Sequence, residues 1–231
     1  MNDISSFLTL AGQIAQKLPI TILMLVLSLF FGLIIGLLLA IVRIHKKPIP
    51  YAIATFFISF MRSTPVLVQL FVVYYGLPLL MQQFGININD WNRLLFAIIT
   101  FSLNMSAFFS EMIRSAYLAV GKGQEEAAYS IGMSYPQVLR RIILPQAFVI
   151  SLPNLTGNII YLLKESALAF SIGIVDVMGQ ADRILANSYG TNFFQVYAII
   201  AIFYWIMSIV IQKTGSYIEQ RVKRRHGGLV R

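Results

Sequence analysis

Apolar runs long enough to cross a bilayer alternate along this chain with short polar stretches. A helix rises about 1.5 Å per residue and the hydrocarbon core is about 30 Å thick, so a crossing takes roughly 20 residues. Five runs meet or approach that length: 20–42, 63–81 with an extension back towards Tyr51, 94–110, 142–163 and 192–212. A sixth, 166–175, is too short to span. Flanked by Glu165 and Asp176, it predicts a re-entrant or interfacial segment buried in protein. The polar positions also have a pattern of their own. The stretch 126–145, EAAYSIGMSYPQVLRRIILP, predicts an elbow of two short helices between the third and fourth spans. Gly121-Lys122-Gly123 ends the third span, and 124–131 is rich in helix formers. Gly132 permits a turn, and Ser134 with Gln137 fits a capping box that starts a second helix near Tyr135, running into Arg140-Arg141.

Composition agrees with that pattern: 58% of the 231 residues are apolar and only 12% charged, the balance of an integral membrane protein. The length suits a single all-α unit. Segment 1–19 is expected on the extracytoplasmic side, 20–217 as the transmembrane domain with a cytosolic loop at 121–141, and 218–231 as a basic cytosolic tail. Segment 1–19 carries Asp3 and lacks a basic start, so it does not read as a cleaved signal peptide.

Charge sets the expected orientation. With five spans, Arg43, Lys46, Lys47, Arg114, Lys122, Arg140, Arg141 and the six basic residues of the C-terminal region fall on one side, thirteen of the chain's 18 lysines and arginines. The other side has Lys17, Arg93 and Arg183. The positive-inside rule then puts the N-terminus outside and the C-terminus in the cytosol, with the elbow. The net charge of +9 is therefore a matter of topology and does not indicate nucleic acid.

The chain has no cysteine, which excludes disulfides, Cys-ligated zinc and iron–sulfur clusters, and His45 and His226 are isolated. No paired carboxylates, nucleophile–base arrangement or metal-ligand spacing supports an enzyme, and no G-x-x-x-x-G-K-[S/T] loop is present to cradle a nucleotide. The chemistry that remains is polar groups at membrane depth. Arg62, just before Pro65, has two readings, facing a pathway or snorkelling to the interface. Glu111 and Arg114 have the spacing of an intrahelical pair. Asn104, Asn154 and Asn158 are amides that either join helices or contact a substrate. Lys164-Glu165 either forms a buried pair holding the short apolar segment or meets the charged ends of an amino acid. Gly32 and Gly36 make a small-xxx-small step, which more often serves helix packing.

Glu126-Ala127-Ala128, then Gly132, Ile142, Leu144 and Pro145, resembles the EAA signature of permease subunits of ATP-binding-cassette (ABC) importers. Further stretches resemble the polar amino-acid subgroup: Arg62-Ser63-Thr64-Pro65-Val66-Leu67-Val68-Gln69-Leu70, Lys122-Gly123-Gln124, and Lys164-Glu165-Ser166-Ala167-Leu168-Ala169-Phe170, over residues 21–221 in all. Ser63 departs from the subgroup's usual Gly, and Glu165-Ser166-Ala167 from its Asp-Thr-Ser. KGQEEAAYSIG and LAFSIG most resemble permeases for L-cystine and related amino acids.

The resemblance implies an all-α membrane protein of five helices, of the type I importer permease kind, in the cell membrane. It implies a non-catalytic subunit whose EAA loop (Glu126, Ala127, Ala128, Gly132, Ile142, Leu144, Pro145) docks in a separate ATPase. ATP is then bound by the partner ATPase subunits and no cofactor by this chain. Other implied partners are a second permease subunit, the same or similar, and an extracytoplasmic amino-acid-binding protein. Arg62, Asn154, Asn158, Lys164 and Glu165 are the substrate-pathway candidates. The competing reading is an ion-coupled secondary transporter of small polar solutes, which calls for an ionisable residue at mid-span and an internal repeat.

Overall fold

A computed structural model describes residues 2–226, and among these every regular element is helical. In order they are α1 (Asn2–Ala15), α2 (Leu18–His45), α3 (Pro48–Ser63), α4 (Val66–Phe71), α5 (Leu77–Gln83), α6 (Arg93–Ala119), α7 (Lys122–Ser130), α8 (Tyr135–Val138), α9 (Leu144–Ser166), α10 (Val177–Asn187) and α11 (Phe193–His226). Wide five-residue turns join α4 to α5 and α8 to α9, so each pair runs as one helical rod. Five rods are long and apolar enough to cross a membrane: Ile4–His45, Val66–Gln83, Arg93–Ala119, Tyr135–Ile172 and Phe193–Arg224. The five runs of the sequence fall on these five rods.

α6 is the central helix, and its most extensive pairing is with α2. Small residues bring the two together. A Cβ on Gly36 would lie 2.7 Å from Phe109 Cβ and 2.9 Å from the Ser106 carbonyl, and one on Gly32 would lie 3.1 Å from Met105 Cβ. Met24, Leu70, Phe101, Met105, Phe109 and Leu162 fill the core around this crossing.

The second span departs from the expected continuous helix. Pro65 cannot donate a backbone hydrogen bond and disfavours a helical conformation in the residue before it. The chain accordingly leaves α3 through an extended Thr64 and restarts as α4. The backbone groups freed at the break are satisfied by two amides. Gln69 Nε2 lies 2.9 Å from the Met61 carbonyl, 3.1 Å from the Thr64 carbonyl and 2.7 Å from Thr64 Oγ1. Asn104 of α6 donates to Gln69 Oε1 at 3.0 Å and to Met61 O at 3.2 Å.

Within the N-terminal segment, Asn2–Ala15 form α1. α1 packs Leu10 and Ile14 against Val177, Ala181 and Ile184 of α10 and Val196, Ile199 and Ile200 of α11. The short apolar stretch forms a tight helical turn at Ala167–Ile172 that ends at Gly173 in a left-handed conformation (φ +80). Its residues Ala169, Ile172 and Ile174 are buried. Asp176, fully buried, then caps α10 by accepting from the Gly179 N–H at 2.9 Å and from the Thr21 hydroxyl at 3.3 Å. Burial pushes its carboxyl up to about 6, with those hydrogen bonds pulling the other way.

Candidate functional site

Two regions carry most of the sequence's candidate residues: a polar groove among α3, α6 and α9, and the α7–α8 elbow at the end of the molecule where α6 stops.

The groove is built around one carboxylate. Glu111 Oε2 accepts from Arg114 Nη2 at 2.9 Å and Nε at 3.2 Å, one helical turn on, as the three-residue spacing predicts. Its other oxygen accepts from Arg43 of α2 and lies 3.8 Å from Arg62 Nη1 of α3. Three guanidiniums from three helices thus converge on one acid. Arg43 is nine-tenths buried, whereas Arg62 remains 46% exposed. Arg62 also lies over the Phe108 ring, 5.6 Å from its centroid, a cation–π contact that holds its plane.

Beside this cluster α9 contributes Pro153, Asn154, Gly157 and Asn158. Together with Arg62, Phe108, Glu111, Met112 and Ser115 they line a cavity of about 390 Å³. Asn158 Nδ2 lies 3.7 Å from Met112 Sδ, a weak contact that leaves the amide's oxygen for another donor. Gly157, with nothing within 4 Å of a built Cβ, keeps this wall of α9 open. The groove therefore brings together guanidinium donors, a carboxylate acceptor and two side-chain amides, the groups that answer both ends of a zwitterion.

The structure divides the other candidates. Arg62, Asn154 and Asn158 meet in the groove. Lys164 and Glu165 do not. They sit at the far end of α9, about 9–17 Å further along its axis at 1.5 Å per residue, and among the described residues no ion pair joins them. Adjacent helical positions point about 100° apart, so neighbours in sequence are not partners in space. Asn104 is buried and committed to the Pro65 break. Arg43, Thr55 and Ser59, which line a second cavity with Arg62 and Glu111, were not singled out by sequence, because the contact that recruits Arg43 spans 68 residues.

The elbow is built from local signals. α7 ends in a Schellman motif: the Gly132 N–H donates to Tyr129 O and the Met133 N–H to Ala128 O, with Gly132 at φ +83. The capping box of Ser134 and Gln137 is present, and the Ser134 N–H donates to Gln137 Oε1 at 2.9 Å. The second helix runs only from Tyr135 to Val138 before the wide turn at Leu139–Ile143 carries it into α9. Ala128 turns inward onto Val138 and Ile143, so its small size serves the elbow's own core. Glu126, Ala127, Ile131 and Gly132 are exposed, with Ile131 at 79%; Leu144 is exposed, Pro145 and Ile142 half-buried.

Residues 32–224 match the family of binding-protein-dependent transport system inner membrane components. The L-cystine transport system permease protein TcyL of Bacillus subtilis is 39% identical over the whole of this chain and 94% of its own length. The arginine transport system permease protein ArtQ of the same organism is 34% identical over 96% of this chain and 97% of its own. Among solved structures, an amino acid ABC transporter crystallised with histidines superposes with a TM-score of 0.83 at 34% identity, covering 95% of this chain and 98% of that one. An inward-facing MetNI methionine ABC transporter shares the fold, with a TM-score of 0.70 at 21% identity over 91% and 96% of the two chains.

Proposed function

This chain belongs to the binding-protein-dependent transport system inner membrane components, as a non-catalytic amino-acid ABC permease subunit, and from that premise we propose that it forms the pathway of an L-cystine importer. Membership implies ATPase and binding-protein partners. The reading adds that the exposed face of the elbow, with Glu126, Ala127 and Gly132, docks in the ATPase, that ATP is bound there, and that two permease subunits pair in the cytoplasmic membrane.

The observation that carries the substrate reading is the groove itself. An α-amino acid needs donors for its carboxylate and acceptors for its ammonium, because either charge left unpaired in a low-dielectric site costs several kcal/mol. Arg62 with the amides of Asn154 and Asn158 supplies the first, and Glu111 the second. The preference for cystine is supported by TcyL and by a second relative, the L-cystine permease protein TcyB of Bacillus subtilis, 37% identical over 93% of this chain and 87% of its own length. Arginine and glutamine permease proteins are nearly as similar, so the choice is tested directly. An ion-coupled secondary transporter is not favoured, since the relatives are ABC permeases.

The test is uptake of labelled amino acids by the complex reconstituted with its ATPase and binding protein. Cystine is expected to enter, and the other amino acids to compete weakly. Entry of arginine or glutamine without cystine overturns the substrate, and uptake of no amino acid overturns the class.

A further inference from the structure

Two cavities meet at one guanidinium. On one side of Arg62 lies the groove toward Asn154 and Asn158. On the other lies a second cavity of about 380 Å³ among α2, α3 and α6, lined by Arg43, Thr55, Ile58, Ser59 and Ser63. Arg62, Phe108 and Glu111 line both, so the partition between the chambers is made of side chains. Of the three arginines on Glu111, Arg62 has the longest contact, 3.8 Å, and the greatest exposure. It is the member least tied to Glu111.

The second chamber has its own unanswered chemistry. Arg43 is nine-tenths buried and its Nε has no partner; Thr55 Oγ1, also buried, has none. A buried donor without an acceptor is costly, and one on a charged group most of all. Three guanidiniums share a single carboxylate here, so the surplus is positive and the missing partner is an oxyanion. The opposite side of α3 is apolar, with Ile49, Ile53, Phe56 and Phe60 forming an exposed stripe at helical spacing.

We infer that the second chamber receives the second carboxylate of a substrate with two α-amino-acid ends, so that one zwitterionic end sits on each side of Arg62. This rests on the reading of the groove as an amino-acid pathway. Cystine has the right shape for it. The two Cα atoms across a disulfide are about 5.5–6 Å apart and the C–S–S–C torsion is near 90°, giving a bent molecule that wraps around one guanidinium. One carboxylate meets Arg62, Asn154 and Asn158, and the other meets the Arg43 Nε–H and the hydroxyls of Thr55 and Ser59. Glu111, which lines both chambers, accepts from the ammonium of the second end, and the free Asn158 Oδ1 accepts from that of the first. An amino acid with one such end fills one chamber and leaves Arg43 unanswered.

The test uses the permease–ATPase complex in lipid nanodiscs, with equilibrium binding of labelled L-cystine, L-cystathionine (two ends, no disulfide) and S-methyl-L-cysteine (one end). The double variant Thr55→Val, Ser59→Ala keeps the Arg43–Glu111 pair. It is expected to weaken cystine and cystathionine at least about tenfold, the effect of losing even one hydrogen bond to a charged group, and to leave S-methyl-L-cysteine unchanged. That last ligand also reports that the variant is folded. Equal weakening of all three, or of none, overturns the two-chamber inference, as does a wild type that binds S-methyl-L-cysteine more tightly than cystine. A wild type that binds no amino acid overturns the pathway reading and this inference with it.

Discussion

Gly36 shows how much a single hydrogen decides in this molecule. A methyl group there would meet Phe109 Cβ at 2.7 Å and the backbone of Ser106 and Ser110 at 2.9 and 3.2 Å, so α2 and α6 would have to separate. At Gly32 the nearest atoms are at 3.1 and 3.2 Å, a crowding that small shifts relieve. Gly36→Ala is expected to cost about 1–3 kcal/mol, the usual range for overpacking, and Gly32→Ala less. Thermal unfolding in detergent measures this, and equal melting temperatures for the two variants would contradict the geometry. The small-xxx-small step and the Glu111–Arg114 pair were both legible in sequence, because each is a spacing within one helix. The convergence of Arg43 and Arg62 on the same Glu111 was not, since nothing local in α2 or α3 records which residue of α6 they will face. Asn104 illustrates the same limit: joining helices was one of its two readings, but its partner, Gln69, depends on where Pro65 breaks a different span.

The elbow is the element with the clearest sequence signature, and it exposes Ile131 at its turn. Gly132 adopts φ +83, and nothing lies within 4 Å of a Cβ built there, so any penalty for a side chain is one of backbone conformation alone. A β-branched residue is strained in that region, whereas asparagine tolerates it. Gly132→Val is therefore expected to abolish uptake with membrane insertion intact, and Gly132→Asn to retain most of it. Equal uptake by the two variants would show that the turn does not matter for coupling. The capping box and the glycine turn were readable because both motifs satisfy backbone groups within a few residues. The wide turn at Leu139–Ile143 was not, because one extra residue in a helical turn leaves no mark on composition. The inward orientation of Ala128 likewise depends on Ile143, fifteen positions away, and no local pattern carries it.

At the scale of the whole molecule, hydropathy alone located the five crossings, since length and apolarity are what a bilayer demands. It did not show the broken second span or the docked α1, both of which follow from tertiary packing. Orientation rests on the charge asymmetry, and the natural absence of cysteine makes it simple to check. A single cysteine at exposed Asp90 is expected to react with an impermeant maleimide added to intact cells, and one at exposed Ser130 only after permeabilisation. The reverse pattern would invert the molecule. The pairing of α2 with α6 also has a consequence for biogenesis. Arg43 and Glu111 are separated by 68 residues, so the first span leaves the ribosome well before its principal partner exists. At about 5–20 residues per second, that wait is roughly 3–14 seconds. During it the backbone of Gly32 and Gly36 and the charge of Arg43 lie open to the insertion machinery. A helix notched for a partner not yet made is a natural substrate for a membrane chaperone or a quality-control protease, whose window closes when α6 arrives.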